Sequence, residues 1–328
     1  MRYLVCSDIH LNLNRRFDDT VAALNQITEI IEREMVHKVL ILGDTFTSRR
    51  PHSKELTTFE RWISSITNSS RASFEGWPQV VIIRGNHDEF PDGTHSYHAF
   101  EELRIPNVKI YSNPHIEDGI FMGHFLLREA TIGPTDYKSM ESMSVDELIA
   151  KYPNCIAYML GDVHKHQVLS EEPPVIYAGS IEHVDFGERK DEKGVILLEI
   201  TDNTRPHTYR FIPLKTRPML QYDLYPPFTT FPTRIEEGAI VKVIFHGTKE
   251  EIANQVNESD VHSLFVGTKE LVVQYDITKD VAPRNKQVNE SITPEKALEL
   301  YFDKKELPEA EKKSVMALGL EIIRQCQN

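Results

Sequence analysis

The chain has 328 residues, 40% of them hydrophobic and 27% charged, which is the composition of a globular protein with a substantial buried core. Its formal net charge of −13 argues against a surface built throughout for nucleic acid, although bound cations can supply positive charge within one cleft. No apolar run approaches the ~20 residues that span a bilayer, so we expect a cytoplasmic protein.

The first part of the chain alternates short β-rich runs with helical stretches, which predicts a layered α/β domain over residues 1–214. Several runs are almost continuously apolar, as expected for strands that are covered on both faces. The predicted strands are residues 3–7, 38–42, 80–84, 120–122, 156–160, 175–178 and 195–200.

The predicted helix between the first two strands covers residues 18–35, with Asp18 or Asp19 as the candidate N-cap. Its apolar residues recur at helical spacing and therefore predict one buried face. They are Val21, Leu24, Ile27, Ile31 and Met35.

A proline-rich stretch at residues 213–232 leads into a smaller unit, which we predict to be an α+β capping domain over residues 215–285. The runs 239–245 and 270–277 are predicted strands, and residues 250–256 are predicted to form a short helix between them. A β–α–β module of this size fits a small cap over the main domain.

Residues 286–328 are predicted to form a helical tail. Thr293 is a candidate N-cap followed by Pro294 at the first helical position, and Pro308 begins a second segment. The apolar face of that segment consists of Val315, Leu318, Ile322 and Cys326. This face either packs against the rest of the chain or docks a partner, and packing is the simpler prediction.

Metal-capable side chains follow five of the apolar strands, and a glycine that permits a sharp turn precedes four of these clusters. The clusters are Asp8 and His10; Asp44; Asn86, His87 and Asp88; His124; and Asp162 and His164. Singly, each has an ordinary explanation as a turn or a helix cap. Because strand ends of an α/β sheet share one edge, the set together indicates a metal site. Mixed carboxylate, imidazole and amide ligands suit Mn²⁺.

The ordered set D-x-H, G-D, G-N-H-D, G-H and G-D-x-H resembles the calcineurin-type metallophosphoesterase superfamily. Two later segments, LGDVHKHQ at 160–167 and YAGSIEHVDFGE at 177–188, resemble the SbcD-type DNA repair nuclease subunit. Residues 211–218 are similar to the passage of that family into its capping domain. The resemblance implies a β-sandwich flanked by helices and two-metal hydrolysis of phosphodiesters.

The resemblance also implies a role for each matching residue, with two Mn²⁺ or Mg²⁺ ions as cofactors. Asp44 would bridge the ions, and His87 would be catalytic, facing the scissile phosphate without binding metal. The remaining ligands would be Asp8, His10 and His164 for one ion, and Asn86, His124 and Asp162 for the other.

Three positions depart from the family pattern. Asp162 replaces a histidine and adds negative charge, so we expect Mn²⁺ or Mg²⁺ to be favoured over softer ions; an alternative register pairs His164 with His166. Thr47 replaces a histidine that relatives link to exonuclease action, which leaves the balance of exonuclease and endonuclease activity open. His183 stands where arginine is more frequent and is interpreted as a structural substitution.

Basic residues near the predicted site are either solvated loop charges or a set that contacts the DNA backbone without reading sequence. They are Arg15, Arg16, Arg49, Arg50, Lys165 and Arg189. Residues 95–103 lie where the family builds its dimer helices, or form an ordinary amphipathic helix. The resemblance implies a homodimer and an SbcC-type ATPase partner, with the tail as a candidate docking element.

The leading hypothesis is therefore a Mn²⁺-dependent exonuclease and endonuclease that processes DNA ends, hairpins or breaks in an SbcCD-like complex. One alternative keeps the same chemistry for a phosphoprotein or a small phosphodiester. Another is a non-catalytic scaffold subunit that binds DNA, which the complete ligand set disfavours.

Overall fold

The computed structural model describes residues 1–67, 78–133, 139–201, 208–232, 235–278, 293–303 and 309–326. It divides into two compact units, one of Met1–Leu220 with Gly238–Ile240 and one of Gln221–Glu237 with Val241–Asn328. Among these described residues, none of the helices has the length and apolarity that a bilayer crossing requires.

The first unit contains two sheets, whose strands within the described residues are as follows in chain order. They are β1 (Arg2–Cys6), β2 (Lys38–Ile41), β3 (Gln79–Ile83), β4 (Val108–Tyr111), β5 (His115–Glu117), β6 (Ile120–His124), β7 (Ala157–Gly161), β8 (Gln167–Glu171), β9 (Pro174–Tyr177), β10 (Gly194–Glu199) and β11 (Thr208–Pro213). One sheet has the order β11-β10-β1-β2-β3-β4, and the other has the order β5-β6-β7-β9-β8. Strands β1 to β4 run parallel to one another, as do β6, β7 and β9. The outer strands β10, β11, β5 and β8 pair antiparallel with their neighbours.

Helices cover the outer face of each sheet. They are α1 (Phe17–Arg33), α2 (Ser53–Thr67), α3 (His98–Leu103) and α4 (Val145–Lys151). Successive residues of β1 pack into two different hydrophobic cores. Leu4 and Cys6 pack with residues of α1 and α2, whereas Tyr3 and Val5 pack with residues of the second sheet. Because both faces of the strand are buried, its sequence is apolar without alternation.

All seven strands predicted in this unit are present, and the layered α/β class is confirmed. The predicted helix is also present, but its boundaries were wrong. Met35 lies beyond the end of α1 and is 55% exposed, with a left-handed backbone. Asp18 and Asp19 lie in the first turn, and the N-cap position is Arg16, which makes no capping bond through its side chain.

The strands that the sequence did not predict are short or half polar. β5 has only the three residues His115–Glu117, and β8 and β11 have few fully buried positions. Their hydrophobic periodicity is therefore weak, and they form through pairing with neighbouring strands.

The second unit contains a three-stranded sheet in the order β12-β13-β14. The first residues of β12 and β13 belong to the first unit. The elements of this part of the chain are β12 (Met219–Leu224), β13 (Ile240–Gly247), β14 (Glu270–Ile277), α5 (Lys249–Gln255), α6 (Glu258–Leu264), α7 (Pro294–Asp303) and α8 (Glu309–Cys326). Thr248 and Glu251 form a capping box that begins α5. The predicted strands and short helix between them are present.

The helical tail is present as α7 and α8. The Thr293 hydroxyl accepts from the Lys296 amide at 3.4 Å, as the predicted N-cap requires. The simpler prediction of a packed face on α8 was wrong for two of its residues, because Val315 and Leu318 are 40% and 59% exposed. Pro308 and the side chains of Ile322 and Cys326 lie outside the described residues.

Candidate metal centre

The polar clusters follow the carboxyl ends of neighbouring parallel strands, β1, β2 and β3 in one sheet and β6 and β7 in the other. Backbone hydrogen bonds join the first two loops, since the Asp8 amide donates to the Gly43 carbonyl at 3.2 Å and the His10 amide to the Asp44 carbonyl at 3.0 Å. All seven predicted ligands belong to these loops or strand ends. Sheet topology thus gathers segments that are far apart in sequence.

Four of the seven predicted ligands have a left-handed backbone, with φ of 49° at Asp8, 47° at His10, 50° at Asp44 and 84° at Asp162. Such a conformation costs a residue with a Cβ on the order of 1–3 kcal/mol and clusters at functional sites. The surrounding structure therefore holds these side chains in directions that an ordinary loop would not select.

Gly43 and Gly85 allow the loops to approach the site closely. Gly43 has φ of +89°, and a Cβ there would lie 2.7 Å from His124 Nδ1. A Cβ on Gly85 would collide with the Asp44 carboxylate. A larger residue at either position would displace a predicted ligand.

Asp8, His10 and His164 form one group whose ligand atoms lie within 4.8 Å of one another. The Nε2 atoms of His10 and His164 are 3.1 Å apart. Asp8 Oδ1 lies 3.9 Å from His10 Nε2 and 3.8 Å from His164 Nε2. Among the described residues, no hydrogen-bond donor satisfies this buried Oδ1. A buried carboxylate oxygen without a donor, facing two imidazole nitrogens, fits a cation ligand set.

Asp8, Asp44 and His124 form a second group within the same 4.8 Å limit. His124 Nδ1 donates to the Leu42 carbonyl at 2.6 Å, which leaves Nε2 directed at Asn86 Oδ1, 3.0 Å away. Asp162, which is not in this group, places Oδ1 3.8 Å from His124 Nε2, and its side chain is 33% exposed.

Asp8 is common to both groups, and Asp44 of the second group also approaches His10 of the first. The Oδ2 of Asp44 is 3.8 Å from His10 Nε2, and its Oδ1 is 3.4 Å from His124 Nε2. A carboxylate offers one oxygen in each direction, whereas a neutral imidazole offers one lone pair. This geometry fits the bridging role that the resemblance implies.

In the metal-free protein, burial and charge act in opposite directions on two of the histidines. Burial lowers the pKa of His10 to about 4, although Asp8 and Asp44 oppose the shift. Burial also acts to lower the pKa of His124, but the hydrogen bond to Asp44 and the nearby carboxylates outweigh it and raise the pKa to about 10. The carboxylates therefore attract positive charge most strongly at His124.

Asp88 supports the loops without belonging to either group. Its fully buried Oδ2 accepts from the amides of Asp44 at 2.8 Å and Gly85 at 2.9 Å, and from the Tyr97 hydroxyl at 3.2 Å. Burial, together with the charge of Asp44, raises the pKa of Asp88 to about 7. The sequence placed Asp88 in the G-N-H-D cluster but gave it no role.

Glu188 and Lys193 support His164, and the sequence interpretation missed both roles. His164 Nδ1 donates to Glu188 Oε1 at 2.7 Å, while Lys193 Nζ donates to Glu188 Oε2 at 2.8 Å and to the His164 carbonyl at 2.9 Å. Burial raises the pKa of Glu188, but these two cationic partners outweigh it and hold the pKa at about 2. The sequence held one sign of the role of Glu188, since this residue is the last of the segment 177–188 that resembles the SbcD-type subunit.

His87 is exposed at the rim of the site, with its ring centroid 5.5 Å from that of His10. Its amide donates to Asp44 Oδ1 at 2.9 Å, and its Nδ1 donates to the Thr47 carbonyl at 2.9 Å. Since a carbonyl only accepts, Nδ1 carries the hydrogen and Nε2 is the nitrogen left for a substrate.

The departure at His183 and the alternative ligand His166 both have partners away from the ligand groups. His183 is buried, and its Nε2 donates to the Asp191 carbonyl at 3.1 Å. His166 Nδ1 donates to the Tyr177 carbonyl at 2.8 Å, and the ring stacks on Phe211. The alternative register that pairs His166 with His164 is wrong, because these contacts direct His166 away from the ligand groups.

The predicted DNA contacts differ in their surroundings. Arg16 is paired with Asp19 and Glu182 and donates to the His183 carbonyl, and its side chain is only 11% exposed. The other predicted contacts lie at the surface or are partly exposed. They are Arg15, Arg49, Arg50, Lys165 and Arg189.

Arg49 and Arg50 lie next to the ligand loop. Arg49 Nε donates to the Asn86 carbonyl at 3.0 Å. Both guanidinium groups lie over the Phe90 ring, at 5.9 Å and 5.5 Å from its centroid. Two exposed cations thus stand beside a predicted metal ligand.

The fold and the two ligand groups define a metal-dependent phosphoester hydrolase. The family model of calcineurin-like phosphoesterases matches residues 1–176, more than half of the chain, and the protein belongs to this family. Its members use a centre of two metal ions. The chain is also similar to the nuclease MPE of Pseudomonas putida, at 16% identity and a TM-score of 0.33, over 65% of this chain and 87% of that one. A likeness at this level says nothing about the substrate.

Proposed function

We propose that the protein is a Mn²⁺-dependent DNA nuclease of the SbcD type, acting at ends, hairpins or breaks. The observation that carries the proposal is the 2.7 Å hydrogen bond between Glu188 and His164. It joins the segment 177–188, which resembles the SbcD-type subunit and favours a nuclease over other members of the superfamily, directly to a candidate metal ligand.

In this proposal, Asp8, His10 and His164 hold one ion, and Asp44 bridges to a second ion. Asn86, His124 and Asp162 complete the second site. When bound, the ion pair supplies a nucleophilic water and neutralises the phosphate oxygens.

His87 is the proposed catalytic residue. The Thr47 carbonyl holds the hydrogen on Nδ1, so Nε2 is the nitrogen that faces the scissile phosphate. With the ring doubly protonated, Nε2–H can stabilise charge or give its proton to the leaving oxygen. The exposed position of the ring leaves room for a polymeric substrate. Thr47 also donates from its hydroxyl to the His10 carbonyl at 3.1 Å, so it supports both histidines.

Exposed cations at the rim support DNA as the substrate. Arg15, Arg49 and Arg50 are exposed, and Lys165 and Arg189 are partly exposed. Contacts of this kind bind phosphates without regard to base sequence. Arg16 is left out of the proposed DNA surface, because carboxylates already occupy its guanidinium.

We also propose that the protein works as a homodimer with an SbcC-type ATPase. Leu103 at the end of α3 is 63% exposed, which supports a protein contact there, and exposed Val315 and Leu318 support a docking role for α8. Sedimentation of the full chain, alone and with the ATPase, tests both contacts. A monomer that does not bind the ATPase would contradict this part of the proposal.

The test of the nuclease is to incubate the full-length protein with linear and hairpin DNA and Mn²⁺. A His87→Ala variant of equal folding and metal content is the control. We expect cutting that requires Mn²⁺ and falls by about 10²–10⁴-fold in the variant, as loss of a general acid does. Hydrolysis of small phosphodiesters without cutting of DNA, with or without the ATPase and ATP, would contradict the proposal and favour a different substrate.

A further inference from the structure

A second cluster of metal-capable side chains lies in the segment between Asp88 and the end of α3. Hydrogen bonds fix the backbone of this segment, since the Ser96 amide donates to the Asp88 carbonyl at 2.9 Å and the Phe90 amide to the Thr94 carbonyl at 2.7 Å. A β-bridge joins Glu89 to His95. The position of His95 is therefore set by the fold.

His95, His98 and Glu101 form this cluster, with ligand atoms within 4.8 Å of one another. Glu101 Oε2 lies 3.5 Å from His95 Nε2 and 3.8 Å from His98 Nδ1. His98 and Glu101 are three residues apart on α3 and so share one face of the helix. None of the three belongs to the groups around Asp44.

His95 has an unusual environment for an uncharged polar group. Its side chain is 5% exposed, and its Nδ1 has no hydrogen-bond partner among the residues that the structure describes. Within that same part of the chain, the one polar contact of its Nε2 is the long 3.5 Å approach to Glu101. A buried imidazole that is this poorly satisfied requires an explanation, and a bound ion is one.

We propose that His95, His98 and Glu101 bind a divalent transition-metal ion such as Zn²⁺, at a site separate from the predicted catalytic centre. Two imidazole nitrogens and one carboxylate oxygen form a ligand set that Zn²⁺ accepts, with a fourth position left for water. The rings of His95 and His98 are stacked with centroids 4.1 Å apart, so one of them must turn to point its nitrogen at the ion. His98 is the more exposed of the two, at 59% for its side chain, so it is the ring that we expect to turn.

Tyr97 gives this site a connection to the catalytic loops. It lies between His95 and His98 in the chain, and its hydroxyl donates to Asp88, which in turn accepts from the Asp44 amide. An ion held by His95 and His98 therefore fastens the segment that supports the bridging carboxylate. The proposal does not depend on DNA as the substrate.

The test compares zinc bound per chain in full-length wild type, His98→Ala and Glu101→Gln, after equilibrium dialysis against buffered micromolar Zn²⁺. Both substituted side chains are at least 43% exposed, so the variants should fold, and circular dichroism checks this. The matched control is His262→Ala, which removes an exposed histidine on α6.

We expect wild type and the control each to bind one more zinc ion per chain than either variant does. In both variants the affinity of this site for zinc should fall by at least about tenfold. With Co²⁺ in place of zinc, the difference between wild type and variant spectra should show the bands of a tetrahedral ion. Equal zinc in all four proteins would overturn the proposal. The proposal would also be overturned if the variants lost the ions of the catalytic centre together with the proposed third ion, because the third site would then not be separate from that centre.

Discussion

Glu188 and Lys193 act on the metal centre without touching an ion. Lys193 is fully buried and neutralises Glu188, which then accepts from His164 and sets the orientation and tautomer of that ring. Residues of this kind govern metal affinity almost as strongly as the ligands do. Removing either should therefore leave the ligands in place but weaken their hold on the ion.

We predict that Glu188→Gln lowers Mn²⁺ affinity by about 10–100-fold, because the amide cannot replace the carboxylate as partner of both His164 and Lys193. Titration of metal-free protein with Mn²⁺, followed by calorimetry, measures the change. Glu192→Gln, at an exposed position nearby, is the control and should bind as wild type does. An unchanged affinity in the Glu188 variant would show that His164 does not need this partner.

The candidate ligands could be named from the sequence because each follows an apolar strand in a recognisable short motif. The roles of Asp88, Glu188 and Lys193 could not, because each depends on a partner that only the fold brings near. Lys193, for example, is a buried lysine within an otherwise ordinary polar stretch. Its two acceptors on Glu188 and His164 are 5 and 29 residues away along the chain.

At the scale of elements, β2 and the β5–β6 hairpin are joined by a cluster of charged groups. Lys38 Nζ pairs with Glu117 and, at 2.6 Å, with Asp118, and Asp118 also accepts from the Tyr3 hydroxyl at 2.9 Å. Burial acts to lower the pKa of Lys38, but the hydrogen bonds to these carboxylates outweigh it and raise the pKa. The cluster links a strand of one sheet to the other sheet.

We predict that Lys38→Met destabilises the fold by about 3 kcal/mol, since it leaves Glu117 without its cation at a largely buried position. Urea unfolding measures the change, and Lys215→Met at an exposed position is the control, with an expected effect within about 0.5 kcal/mol. If the free energy of unfolding fell by no more than it does in the control, solvent would already screen the charges of the cluster.

The sheet of the second unit holds a histidine between two carboxylates. His246 on β13 lies 2.9 Å from Asp223 on β12 and 2.9 Å from Asp276 on β14. The hydrogen bond to Asp223, followed by that to Asp276, raises the pKa of His246 above its usual value of 6.5.

Because the pKa in the folded state is the higher one, protonation of His246 stabilises the fold fully below pH 6.5, and this contribution is lost as pH rises through the raised pKa. We predict that wild type unfolds at higher urea than His246→Gln at low pH and that the gap closes with rising pH. The control His262→Gln should show no such trend. A gap that is constant with pH would contradict the prediction.

Prediction of strands from the sequence succeeded where both faces are buried, as in β1, β2 and β10, and also for the largely exposed β14. It failed for β4, β5, β8, β11 and β12, which have few fully buried residues and whose pairing depends on neighbours. Helix ends were less accurate than helix positions, since Arg16 and Met35 adopt left-handed conformations that periodicity does not report.

At the scale of the whole molecule, the net charge of −13 means that any attraction for DNA must come from local features. Arg49 and Arg50, beside Asn86, are exposed cations next to the ligand loops. Each phosphate contact contributes separately to affinity and to its dependence on salt.

We predict that Arg49→Ala combined with Arg50→Ala weakens binding to DNA of any sequence and reduces the slope of log K against log salt by about 1 to 2. Fluorescence anisotropy over a salt series measures this, with Arg61→Ala, at an exposed position on α2, as the control. A slope that matches that of the control would place the DNA elsewhere on the molecule.

The central claim is that two metal ions share Asp44, and anomalous diffraction from crystals soaked in Mn²⁺ tests it most directly. We expect two anomalous peaks about 4 Å apart, one beside Asp8, His10 and His164 and the other beside Asn86 and His124, with Asp44 between them. A single peak, or two peaks of which neither contacts Asp44, would contradict the account.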